Sequence, residues 1–166
     1  MGLYLNVGSG QRPFHKPFIN VDVQAKWNPD IVASGDSLPM LKDESVEMVV
    51  LHHVLEHFGC GEADGLLKEC RRVLRPGGSL LVFVPNMAAL MDMWQEYRIT
   101  DQVYMTNVYG AYMGDEADRH KWGYTFATLS RLLTNHGYRP IPFDWREIPG
   151  ALIAQDRWIL GMEGIK

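Results

Sequence analysis

The chain has 166 residues, 46% of them hydrophobic and 22% charged, which is the composition of a globular domain and excludes a disordered one. That length fits a single domain over residues 1–166 with one core. The formal net charge of −4 gives no clear nucleic-acid signal, since a phosphate backbone calls for a basic stripe. Cys60 and Cys70 make neither a disulfide framework nor a metal motif. No apolar run reaches the roughly 18 residues of a membrane helix, and no leader pattern opens the chain. The expected compartment is therefore the cytoplasm.

Taken in order, Leu3–Val7 reads as a short strand ending in Gly8-Ser9-Gly10. Phe18–Val23 is a second strand and Asp30–Ser34 a weaker third. Val46–Leu51 is a nearly unbroken apolar strand bounded by charge. Gly61–Leu74 has helical spacing, with Leu66, Leu67, Cys70, Val73 and Leu74 on one stripe, and Arg75-Pro-Gly-Gly78 stops it. Ser79–Val84 is a fifth strand. A helix near Met87–Tyr97 follows, then a less regular stretch to Tyr124. Thr125–Asn135 is helical through Phe126, Leu129, Leu132 and Leu133, and two late strands lie near Tyr138–Trp145 and Arg157–Ile165.

Strands alternating with helices predict an α/β domain on a mostly parallel, seven-stranded sheet. Ten residues separate Val7 from Phe18 and six separate Val23 from Asp30. A parallel crossover with a helix needs about a dozen or more, so loops are expected in both places. The first two strands alternate, with Leu3, Leu5, Val7, Ile19, Val21 and Val23 on one side and Asn6, Asn20 and Asp22 on the other. One buried face is implied there, against two for the fourth and fifth strands. Helices are thus reduced around the first three strands, and the bare half-face calls for cover from residues 87–124, a second copy in a homodimer, or another partner.

Gly8-Ser9-Gly10 after a strand is a tight turn that a ligand can approach closely, and Asp22 ends the next strand where a carboxylate can hold ribose hydroxyls. Arg12-Pro13 stands where a dinucleotide fold would open a helix on a pyrophosphate, which weakens an NAD(P)-dependent oxidoreductase reading. Five ordered segments, Leu5–Gly10, Ile19–Asp22, Gly35–Pro39, Val54–His57 and Leu74–Leu80, resemble class I S-adenosylmethionine (SAM)-dependent methyltransferases, in particular the small type-11-like group. The resemblance implies a Rossmann-like sheet and SAM as the cofactor. It implies that Gly8 and Gly10, with Ser9 between them and Asn6 before them, face the methionine part. Asp22 would hold the ribose, Asp36 the adenine amino group with Ser37 and Leu38 framing the ring, and His52 would line the floor near the sulfonium. Asn6 replaces the usual acid and Arg12 the usual third glycine. The family's N-terminal cover helices are expected to be missing, because the first strand opens the chain.

Methyl transfer from a sulfonium needs positioning, and a base only where the acceptor holds its proton tightly. The cluster His52-His53-Val-Leu-Glu56-His57 offers His53 and His57 as candidate catalytic bases. Two other readings stay open: Glu56 and His57 open and cap the next helix, or the cluster holds a metal. His53-x-x-Glu56-His57 also spells an inverted zincin motif, but that needs a helix, and this segment leaves a strand; no metal set is assigned. Neither an Asp/Asn-Pro-Pro-Tyr/Phe motif nor a Pro-Cys nucleophile is present, which argues against methylation of DNA bases. Residues 87–124, rich in Met and aromatics, are the expected acceptor wall, with His120, Lys121 and Tyr124 as polar candidates. The expected function is methyl transfer to a small-molecule acceptor; the alternative is a non-catalytic partner subunit of the same fold.

Overall fold

The computed structural model describes residues 2–111, 116–143 and 158–166. Seven strands form one sheet: β1 (Tyr4–Val7), β2 (Phe18–Asp22), β3 (Ile31–Val32), β4 (Val46–His52), β5 (Leu74–Pro85), β6 (Arg139–Pro142) and β7 (Ile159–Ile165). Their order is β3-β2-β1-β4-β5-β7-β6, parallel except where β7 runs antiparallel to both neighbours. Among the described residues, four α-helices accompany them: α1 (Ala63–Val73), α2 (Met87–Gln95), α3 (Asp101–Tyr109) and α4 (Phe126–Asn135). The sheet reverses its winding at β1, which places a crevice at the carboxyl ends of β1, β2 and β4.

One face of the sheet is packed conventionally. Leu5, Val7, Val21, Val49 and Leu51 meet the stripe of α1, whose Leu66, Leu67, Cys70 and Val73 are all buried. Complete burial of a leucine is worth about 1.5–3 kcal/mol, so this stripe is what makes a short helix persist. Leu129 and Leu133 of α4 join the same core, while Phe126, expected there, is 50% exposed. α4 is held at its start by Thr125, whose hydroxyl accepts from the Thr128 amide while Thr128 bonds back.

The other face is covered differently. Residues 8–17 contain no helix, and residues 24–29 only one 3-10 turn at Ala25–Trp27. The expected loops are therefore present, and the first of them does a helix's work. It lays Phe14 edge-on against Phe18 (5.2 Å between rings) over Val50, Leu81 and Phe83. Asn20 clamps it there: its Oδ1 accepts from the Phe14 amide (2.8 Å) and from Asn6 Nδ2 (2.9 Å), and its Nδ2 donates to the Phe14 carbonyl (2.9 Å). The Asn20 amide donates to Asp30 Oδ2 at 2.8 Å, so the clamp reaches the β3 side as well. The small cover leaves Tyr4, Met48 and Ile159 at its margin, partly buried.

Two elements depart from expectation. β5 begins at Leu74, where α1 ends, because Leu74 pairs with Val46 before a register shift leads into the Ser79 pairing. The stretch expected to be irregular contains α3, capped by Thr100, with no buried residue at all. Residues 87–124 do not cover the second face: no described residue of that segment packs in its apolar cluster. They return instead to the carboxyl edge, where the Lys121 and Trp122 amides donate to the Glu56 carbonyl (2.8 and 3.1 Å). The outer parts of the two late strands, residues 144–145 and 157, lie outside the described residues. Among the described residues, no helix is long and apolar enough to cross a membrane.

Candidate functional site

A cleft of about 620 Å³ opens at the carboxyl ends of β1, β2 and β4, the volume of a site for one nucleoside-sized ligand. Its floor is the turn after β1. The Gly8 and Ser9 amides both donate to the Val21 carbonyl (2.8 and 3.1 Å), folding the chain tightly back on β2. Gly8 has φ +72, and a Cβ there would stand 2.5 Å from Val54 Cγ2, so the position needs glycine for packing. At Gly10 (φ +50) a Cβ would meet nothing within 4 Å, because that position looks into the cleft.

Asp22 is 7% exposed at the end of β2. Its Oδ2 accepts from the Gly10 amide and its Oδ1 from the Gln24 amide, both at 2.8 Å. Two backbone donors fix the carboxylate plane, and each oxygen keeps a further lone pair for a ligand in the cleft. Trp27 and Asp36 line one end of the cleft, and His53, His57, Phe58 and Lys121 the other. The sequence pointed to Asp36 but not to Trp27, which sits in a connection with no periodic pattern. No helix follows the glycine turn, so nothing there presents a helix N-terminus to a pyrophosphate.

Other residues expected at the cofactor are placed elsewhere. Asn6 is on the opposite side of the sheet from the cleft-floor packing, spent on Asn20, and does not line the cleft. Leu38 is wholly buried in the main core and Ser37 is exposed; neither lines the cleft. Ser9 is buried, and its Oγ has no hydrogen-bond partner. His52 sits between Phe14, Phe83 and His53 (ring centroids 6.4, 6.0 and 4.7 Å), outside the cleft lining. Burial, with the neighbouring charge of His53, pushes His52 down to about 4, so it is a neutral aromatic wedge at ordinary pH. Strand parity turns Asn6 to the far face, and the depth of the core takes up the Leu38 side chain.

The histidine cluster does not cap a helix. Leu55–His57 is a separate 3-10 turn, and α1 begins only at Ala63. Glu56 is 1% exposed beneath the cleft end. His53 donates Nδ1–H to Glu56 Oε1 at 2.8 Å, from a backbone at φ +54 that non-glycine residues rarely take. His120 arrives from the far segment, with Nε2 4.0 Å from the same oxygen, and meets His57 edge-on at 4.9 Å. Burial alone would raise the Glu56 carboxyl; the His53 hydrogen bond and charge, its own backbone and His120 outweigh it, and the group is held below its ordinary value. Burial lowers His120, against the opposing pull of Glu56. Nothing local in the sequence couples His57 to His120, because the pair forms only through the tertiary return of the chain over Glu56.

Comparison with known proteins agrees with this geometry. Residues 14–82 match the family model described as a methyltransferase domain. A malonyl-[acyl-carrier protein] O-methyltransferase of Methylococcus capsulatus is 29% identical over 108 residues, which are 65% of this chain and 38% of that protein. The chain thus spans well under half the length of that curated relative. A SAM-dependent methyltransferase from Archaeoglobus fulgidus superposes with a TM-score of 0.62 at 15% identity, covering 99% of this chain and 86% of the other. The Burkholderia thailandensis 1,6-didemethyltoxoflavin-N1-methyltransferase, solved with S-adenosylhomocysteine, gives 0.62 at 17% identity, covering 99% and 71%. Residues 14–82 thus resemble the type-11 methyltransferase domain, and the β3-β2-β1-β4-β5-β7-β6 sheet gives the whole chain the fold of these SAM-dependent methyltransferases.

Proposed function

We propose that the chain transfers a methyl group from SAM to a small-molecule acceptor. The observation that carries this is Asp22, a buried carboxylate held in plane by two amides at the rim of a cleft whose floor, at Gly10, is open backbone. In this reading Asp22 accepts from both ribose hydroxyls, Gly8 and Gly10 let the methionine part pass close to the main chain, and Asp36 accepts from the adenine amino group. Trp27 supplies an apolar wall for the base. SAM supplies a methyl group already activated on a sulfonium. Asp22, Asp36, Glu62, Glu116 and Asp118 all line the cleft, a balance that favours a cationic cofactor and disfavours an acceptor with a phosphate backbone.

Relatives named for O- and for N-methylation share the fold, so the acceptor is read from this chain's own residues. His53 commits Nδ1–H to Glu56, which leaves the Nε2 lone pair to take a proton from an acceptor in the cleft. His57 lines the same end and is the second candidate. We include a homodimer across the thinly covered face at Tyr4, Met48 and Ile159. The free thiols of Cys60 and Cys70 fit a reducing, cytoplasmic compartment.

The test is incubation of the protein and SAM labelled in its methyl group with a cell extract, followed by separation by size and class. The proposal expects label in the small-molecule fraction, lost with Asp22→Ala. Label confined to protein or nucleic acid would contradict the small-molecule acceptor, and no label in any fraction would contradict the activity.

A further inference from the structure

We propose that Glu56, His57 and His120 form a divalent-cation site at the acceptor end of the cleft. One ligand atom from each, a carboxylate oxygen and two ring nitrogens, falls within 4.8 Å of the others. Two independent features prepare these atoms for a metal. First, both rings are fixed in the ligating tautomer. His57 Nδ1 lies 3.1 Å from the Arg119 carbonyl and His120 Nδ1 lies 2.8 Å from the Asn107 carbonyl. A carbonyl only accepts, so both Nδ1 atoms carry the proton and both Nε2 atoms present a lone pair. Backbone carbonyls bonded to the far nitrogen are the usual support of metal-binding histidines. Second, Glu56 Oε2 is buried without any hydrogen-bond partner, while Oε1 is engaged by His53. An unpartnered carboxylate oxygen at such depth is costly, and a bound cation removes that cost.

Two imidazoles and one carboxylate suit a first-row cation such as Mn²⁺, Co²⁺ or Zn²⁺ rather than Mg²⁺ or Ca²⁺, which prefer all-oxygen shells. Glu56 closes the buried side and His57 lines the cleft, so a cation held by the three would sit beside the cleft wall. An acceptor oxygen would complete the shell there and become more acidic by doing so. That last clause rests on the methyltransferase reading; the cation site itself does not.

Co²⁺ is the probe, because its visible spectrum reports coordination without any turnover. Titration of the metal-stripped full chain is expected to give one site per chain, with a spectrum of nitrogen and oxygen ligation at low coordination number. Glu56→Gln and His120→Ala are expected to weaken Co²⁺ at least tenfold. Lys68→Ala, on the exposed side of α1 and away from the cleft, should leave it unchanged. Melting curves by circular dichroism identify any variant that fails to fold, and His57→Ala then replaces it, since that ring is partly exposed. Absence of a stoichiometric Co²⁺ site in the wild type, or equal affinity in folded variants, overturns the proposal. SAM calorimetry on the same samples separates the two readings, since a chain that binds SAM but not Co²⁺ loses only the metal site.

Discussion

A side chain added at Gly10 would touch no protein atom, so its effect falls on a ligand and not on the core. Gly10→Asn suits the test, because asparagine tolerates the left-handed backbone found there. It is expected to abolish SAM binding with little change in melting temperature. Asp22→Ala should weaken SAM by about 1.5–3 kcal/mol, the worth of hydrogen bonds to a charged group, as read by calorimetry. For the base, His53→Asn also keeps a residue that accepts positive φ. Turnover should fall by roughly 100-fold while SAM affinity stays near normal. Near-normal turnover in that variant would remove His53 from the chemistry.

At the scale of elements, the loop over residues 11–17 replaces a helix, and its hold on the sheet is concentrated in two side chains. Phe14→Ala should cost about 3–5 kcal/mol by opening a cavity over Val50 and Leu81, measured by denaturant unfolding. Asn20→Leu should cost a comparable amount through the orphaned groups of Phe14, Asn6 and Asp30. α1 is tied to the connection after β3 by Glu69, which accepts from Arg72 and from the Leu38 amide. The Arg72 hydrogen bond, against the opposing effect of burial, holds Glu69 below its ordinary value. Its stabilisation is therefore complete above a normal carboxylate pKa of about 4.3 and is lost as pH falls through the lower folded value. Thermal melts should show wild type and Glu69→Gln converging in that acid range and separating above it.

The same elements show what the sequence could reveal. The strands, α1 and the helix-free first connections were legible, because alternation and helical spacing report directly which faces are buried. α3 was not, since it buries no residue and so has no apolar stripe to read. Motif position placed Gly8, Gly10, Asp22 and Asp36 at the cleft, yet it also suggested Asn6 and Leu38, which strand parity and core depth take away from it. Asn6, standing where an acid was expected, answers to Asn20 rather than to a ligand. The meeting of His57 with His120 depends on a return of the chain over 60 residues later, and no local pattern encodes that.

For the whole molecule, the uneven cover of the sheet has a consequence for assembly. Parallel sheets are seldom left open, and Tyr4, Met48 and Ile159 ring the small Phe14 cluster without a described helix above them. Light scattering should report twice the 18.9 kDa chain mass, and Met48→Lys should halve it without unfolding the protein. A wild type that stays monomeric at high concentration contradicts the homodimer. Everything else depends on the cofactor cleft, and calorimetric titration of SAM into the folded wild-type chain decides whether it binds. One SAM per chain, weakened by Asp22→Ala and abolished by Gly10→Asn, is the predicted result; no heat of binding from a wild type whose melting curve shows it folded would contradict it.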